Sequence, residues 1–209
     1  MIEVIDVSKR YGEQQVLSGV NLTVDTGTIV GLAGRNGSGK SVLLRIISGL
    51  LKPDTGEVRY DGKKLPDGTF YPSLGVVLDQ VGFVPMYTGY RNLMTLAKVK
   101  KKIGKDEVRA AMDLVGLGDA KNKFYFQYSK GMKKRLALAQ ALIEDPEVLI
   151  LDEPFDGIDY KGLLYFRDIF MEEKKKGKTI LLTSHNAEDL DVLSDIKYHI
   201  ADGHLSPME

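Results

Sequence analysis

The 209-residue chain contains no cysteine. That excludes a disulfide framework and thiolate metal sites, and it fits the cytosol. There is no excess charge either: Lys plus Arg and Asp plus Glu number 29 each, so no global field draws the chain to nucleic acid or to an anionic membrane. A long hydrophobic run is also missing. The greasiest stretch, Val42 to Leu51, is broken by Arg45, Ser48 and Gly49, well short of the ~20 apolar residues that a membrane span requires. Met1 to Val7 alternates apolar and polar like a strand and carries no signal-peptide pattern. The chain is therefore expected not to enter a membrane by itself. No internal repeat, low-complexity segment or dividing linker is present.

What remains is ordinary globular material, 43% apolar and 28% charged, long enough for one domain with a substantial core. The runs Lys100 to Lys102 and Lys174 to Lys176 read as solvated helix ends. Strands are expected at 3–7, 21–24, 28–33, 57–60, 74–78, 148–151, 179–183 and 197–201. Several are continuous apolar runs, as in a sheet buried on both faces. Helices are expected at 40–50, 105–114, 131–144, 161–176 and 187–192. The chain opens with an antiparallel-looking β section and then alternates β with α. From about residue 80 to 145 no strand signal occurs, which predicts a helical insertion between core segments 1–79 and 146–209 of a single domain.

Between the strand ending at Ala33 and the helix opening near Lys40 stands Gly34-Arg35-Asn36-Gly37-Ser38-Gly39-Lys40-Ser41, which satisfies G-x-x-x-x-G-K-[ST]. Glycines let successive backbone N–H groups approach phosphate oxygens with no Cβ in the way. The following helix aims its positive end at the same oxygens. Lys40 is expected to reach the β- and γ-phosphates, and the Ser41 hydroxyl to take a magnesium position. Val42 stands where threonine is commoner, without touching the phosphate argument. The fold class that follows is α/β, a P-loop NTPase with a mostly parallel core sheet, an antiparallel β section and the helical insertion.

The apolar strand Val148 to Leu151 delivers Asp152 and Glu153 at its carboxyl end, beside the phosphate loop in any doubly wound sheet. Asp152 is expected to hold magnesium, and Glu153 to polarise the water that attacks the γ-phosphate.

Tyr128-Ser129-Lys130-Gly131-Met132, followed by Lys133-Lys134-Arg135-Leu136, resembles the L-S-G-G-Q signature of the ABC (ATP-binding cassette) ATPases. The resemblance covers essentially the whole chain. It implies that Tyr11 stacks on adenine, that Asp159 is the acid of the loop after the second phosphate motif, and that His185 is the switch histidine touching the γ-phosphate. It implies ATP and Mg2+ as cofactors. Ser129 and Gly131 would form a second anion site at a helix N-terminus, used across a head-to-tail dimer so that each ATP lies between one cradle and the partner's signature. Taken alone, Ser129 reads simply as a helix N-cap.

The sequence departs from the family pattern in three places. Lys130 replaces the first signature glycine and Met132 the glutamine, while the donors at 129 and 131 remain. In the third, aligning on Gly82 and Pro85 puts Asp79 where a magnesium-sensing glutamine belongs, with Gln80 one place later; which of the two serves is open.

The resemblance points to the nucleotide-binding subunit of a transporter. Its partners would be a second cassette, as a homodimer, and a separate membrane permease, with no nucleic acid. It would be cytoplasmic, peripheral on the inner face of the cell membrane through that permease. Residues 79–96, with Asp-x-x-Gly-Phe and Tyr-Thr-Gly-Tyr-x-Asn-Leu wording, resemble bacterial exporters for drugs and antimicrobial peptides and would form the groove for the partner's coupling helix. The alternative is a soluble ABC ATPase acting on ribosome or DNA; such relatives usually carry tandem cassettes, coiled coils or basic extensions, which this sequence does not. A GTPase or small-molecule kinase shares only the cradle: Asn122-Lys123-Phe124-Tyr125 ends in tyrosine where guanine reading requires an acid. His199 and His204 have no motif partner and read as structural or surface residues.

Overall fold

The computed structural model describes the chain except Leu65, Asp67, Asp79, Gln80, Val81, Lys101, Lys102 and Glu209. Ten strands and six α-helices are formed among the described residues: β1 (Ile2–Tyr11), β2 (Gln14–Val24), β3 (Ile29–Ala33), α1 (Lys40–Ile47), β4 (Thr55–Tyr60), β5 (Lys63–Lys64), β6 (Leu74–Val77), α2 (Gly89–Lys100), α3 (Lys105–Leu114), α4 (Lys130–Leu142), β7 (Val148–Leu151), α5 (Tyr160–Lys175), β8 (Thr179–Ser184), α6 (Ala187–Asp191), β9 (Ile196–Ala201) and β10 (His204–Pro207), with a 3-10 turn at Tyr125–Gln127.

The strands divide into two sheets. An antiparallel sheet runs β2-β1-β4-β5, and a six-stranded sheet runs β10-β9-β3-β8-β7-β6. In the second, only the β9–β10 pair is antiparallel. The mostly parallel core and the antiparallel section expected from the sequence are both present. Between β6 and β7 the described residues contribute no strand to either sheet, only α2, α3, the 3-10 turn and α4.

Both faces of the parallel sheet are covered, which is why its strands read as unbroken apolar runs. Leu149, Leu151, Ile180 and Leu182 pack with α4, α5 and the α2–α3 region, where Phe166 and Phe170 are fully buried. Val148, Ile150 and Leu181 face the other way, onto Leu43, Leu44, Ile46 and Ile47 of α1 and onto the antiparallel sheet. Truncating Phe170 to alanine in such packing costs about 3–5 kcal/mol.

Several boundaries differ from expectation for local reasons. β1 and β2 extend well beyond the segments 3–7 and 21–24, because their pairing carries register shifts near Val7 and Lys9 that break strict alternation. Asp6 sits in one of these irregularities at φ 48. Helix α1 stops at Ile47 instead of Leu50, turned off through Ser48 and Gly49. Helix α2 and strand β10 carry little of the expected patterning. Ser129 caps α4 by accepting from Met132 N, and Asp159 caps α5 by accepting from Gly162 N. Of the two lysine runs, Lys174 to Lys176 does close α5, paired with Asp195, Glu172 and Glu173; Lys101 and Lys102 lie outside the described residues. No helix among the described residues is long and apolar enough to cross a membrane.

Candidate nucleotide cleft

Strand β3 hands its chain to the loop 34–39 and α1 begins directly after it. Gly39 is the N-cap of α1 at φ 107, and a Cβ there would lie 2.9 Å from both Leu17 Cδ2 and Val16 O. Only glycine satisfies both the backbone sign and the close approach of β2. The neighbouring strands β8 and β7 bring their carboxyl ends to the same edge, with Ser184, Leu151 and the residues after them.

The resulting cleft has a volume of about 490 Å3 and is lined by Val16, Arg35, Asn36, Gly37, Gly39, Lys40, Ser41, Val42, Asp152, Glu153, Asp156 and His185. It thus unites most of the residues expected to serve ATP. Lys40 is buried, and its ammonium donates to Gly34 O at 2.6 Å and to Arg35 O at 3.2 Å. The same ammonium stands 3.3 Å from Glu153 Oε1. Glu153 Oε2 accepts the His185 backbone N–H at 3.1 Å and lies 2.9 Å from His185 Nδ1.

Glu153 is held in the left-handed region, φ 46, at a cost of roughly 1–2 kcal/mol for a residue with a Cβ. Neighbours fix it there. Its N–H donates to Thr183 Oγ1 at 2.8 Å, and its carbonyl accepts from Lys134 of α4 at 2.9 Å. Thr183 Oγ1 in turn donates to Asp152 Oδ1 at 2.8 Å, so one hydroxyl ties both acids. Asp152 is 1% exposed. Sequence reasoning missed Thr183, although a polar residue ending an apolar strand just before Ser184 and His185 was a usable signal. It also missed Lys134 and Asp156, whose places depend on contacts between distant segments.

Among the described residues the buried Ser38 hydroxyl has no hydrogen-bond partner, and Glu153 Oε1 has only its ion pair with Lys40. A hydroxyl with a donor to spare on the loop that leads to Lys40 suits an added acceptor such as a polyphosphate. The Ser41 hydroxyl and the Asp152 carboxylate are hard oxygen donors, few enough that a magnesium ion there would keep waters and phosphate oxygens. The donor set fits that ion.

Other expected residues lie elsewhere. Tyr11 is 49% exposed, outside the cleft lining, with Lys9 Nζ 5.8 Å from its ring centroid. Ser129, Gly131 and Asp159 are also outside the lining. Asp79 and Gln80 fall outside the described residues. A second hollow of about 510 Å3 lies along Arg35 to Ser38 and is bordered by Gln14, Gln15 and the exposed His199. His204 is exposed on β10.

Comparison with known proteins places this geometry in one family. The family described as ABC transporter matches residues 17–156. The ABC transporter ATP-binding protein YybJ of Bacillus subtilis (strain 168) is 40% identical over 210 residues, covering 100% of this chain and 96% of its own length. The bacitracin transport ATP-binding protein BcrA of Enterococcus faecalis is 37% identical over 208 residues, covering 98% of this chain and 68% of its own. The dimeric structure of MJ0796, described as a bacterial ABC transporter cassette, superposes with a TM-score of 0.89 at 26% identity, covering 100% of this chain and 99% of that one. The chain belongs to the ABC transporter family and is the ATP-binding, ATP-hydrolysing subunit of a transporter.

Proposed function

We propose that the chain binds Mg–ATP in the cleft between the phosphate loop and the β7–β8 edge and hydrolyses it to drive a separate membrane permease. The observation that carries this reading is the convergence of Lys40, Asp152, Glu153 and His185 on one cleft. Loop 34–39 and Lys40 bind the phosphates, Ser41 and Asp152 hold magnesium, and Glu153 takes a proton from the attacking water. His185, already beside Glu153 Oε2, orients that carboxylate and contacts the γ-phosphate. Magnesium, when bound, offsets charge on the phosphates. Tyr11 takes the adenine.

Ser129 and Gly131 act on the nucleotide of a partner cassette in a head-to-tail homodimer. Their absence from the lining of their own chain's cleft supports that reading, as does the dimeric state of MJ0796. The permease would dock near α2, where Val84 and Met86 are exposed beside the stacked rings of Phe124 and Phe126, holding the subunit to the inner face of the membrane. The helices between β6 and β7, about residues 80–145, are the insertion of a single ATPase domain. The likeness to BcrA favours a peptide antibiotic as the transported substrate. ATP turnover by the purified chain, retained binding and lost turnover in Glu153→Gln, and co-purification with a polytopic membrane protein test these three layers separately.

A further inference from the structure

The cleft contains an acid with no part in the chemistry above. Its charged lining sets Arg35 and Lys40 against Asp152, Glu153 and Asp156, with His185 beside them. Asp152 is assigned to magnesium and Glu153 to the attacking water. Asp156 serves neither, and a carboxylate facing a triphosphate repels it.

Asp156 is met from outside the cleft. Lys130, at the first position of α4 after its cap Ser129, donates to Asp156 Oδ2 at 3.0 Å but is not part of the cleft lining. Its path is made by Gly157, at φ 75, where a Cβ would lie 2.4 Å from Lys130 Cδ, 2.6 Å from Cε and 2.9 Å from Cγ. The lysine stem therefore crosses the α-carbon of Gly157 through space that any other residue would fill. Helix energetics do not account for this lysine: a cation in a first turn opposes the helix dipole, and the first turn of α4 has no acid. The nearby cations are otherwise engaged, Lys133 over the Tyr125 ring at 5.2 Å and Lys134 on Glu153 O. The Asp156 carboxyl is held below its ordinary range, first by the Lys130 hydrogen bond and further by the charges of Lys130, Lys134 and His185.

We infer that Lys130 is a specificity-determining residue of the nucleotide cleft: it neutralises Asp156 from outside, and so lets the cleft accept a polyphosphate. The inference rests on the reading that this cleft takes ATP. The two side chains are 65% and 43% exposed, so the pair adds little to folding stability. Its effect is on the potential a ligand meets, and it therefore grows with ligand charge from AMP through ADP to ATP.

The test is calorimetric binding of ATP, ADP and AMP to the full chain without magnesium, so that nothing is hydrolysed. The proteins are wild type, Lys130→Met, Lys130→Arg, Asp156→Asn and the double variant Lys130→Met with Asp156→Asn. Methionine keeps an unbranched stem over Gly157 and removes the charge. At low salt Lys130→Met should weaken ATP binding about two- to five-fold, the scale of one exposed ion pair, and weaken AMP less. Lys130→Arg should bind like wild type, and the double variant should recover wild-type ATP affinity. ATP affinity unchanged in Lys130→Met, or a double variant as weak as Lys130→Met, would overturn the inference. A wild-type chain that binds no ATP would overturn the ATP reading, and this inference with it.

Discussion

Lys40 Nζ lies 3.3 Å from Glu153 Oε1, joining the phosphate loop to the acid after β7 across the cleft. The same ammonium is shared with Gly34 O and Arg35 O, so protein acceptors hold it in place. An entering nucleotide has to substitute phosphate oxygens for some of these partners. Removal of the lysine takes away a charged donor and leaves Glu153 Oε1 without its cation, while Oε2 keeps its contacts to His185. Lys40→Ala should weaken ATP binding about ten- to hundred-fold, the scale of a hydrogen bond to a charged group. Calorimetry on the purified variant checks this, and unchanged affinity would remove Lys40 from the phosphate site.

Thr183 joins Asp152 and Glu153 through one buried hydroxyl. Thr183→Val keeps the shape and strands both partners, so folding stability should fall by about 1–3 kcal/mol and turnover should fall with it. Thr183→Ser should be close to wild type in both. Denaturant midpoints and ATPase rates decide, and a fully active, fully stable Thr183→Val would show that the acids need no such tie.

Much of the fold was legible because the parallel sheet is covered on both faces. Val148 to Leu151 and Thr179 to Ser184 must be apolar or small throughout, and the sequence displays that directly. The phosphate loop was legible because its backbone demands glycine where β2 crowds Gly39. Helix α2 was not, since Gly89, Asn92 and Thr95 are poor helix formers. Its start is organised instead by Asn92, 3% exposed, which accepts from Val84 N and donates to Val84 O and Thr88 O. Within the site, Thr183 and Asp156 take their roles from partners far away in sequence: 31 residues separate Thr183 from Asp152, and 26 separate Lys130 from Asp156. No local pattern announces such pairs.

The dimer makes a prediction of its own. Mixing a Lys40→Ala chain with a Ser129→Arg chain gives heterodimers with one composite site intact and the other doubly altered. Each variant alone should be nearly inactive, and the mixture should regain part of the wild-type ATPase rate. A mixture no more active than its components would count against sharing of sites between chains.

The position after β6 is read from sequence alone, since Asp79 and Gln80 lie outside the described residues. With Asp79 at the sensing position, Asp79→Ala should lose magnesium-dependent hydrolysis and Gln80→Ala should be mild. Asp79→Gln should reach activity at lower magnesium, because it removes a negative charge near the γ-phosphate. ATPase rate against magnesium concentration separates the three, and a severe Gln80→Ala beside a near-normal Asp79→Ala would move the register by one residue.

The role of Glu153 as general base is the centre of the account, and one variant addresses it most directly. Glu153→Gln keeps nearly the same shape and removes the proton acceptor. Its ATP turnover should fall by roughly 10²–10⁴, the range for loss of a general base. Its ATP affinity, measured on the same preparation, should equal or exceed that of the wild type, because a negative charge beside the phosphates is gone. A Glu153→Gln chain that hydrolyses ATP at the wild-type rate would contradict the mechanism proposed for this cleft.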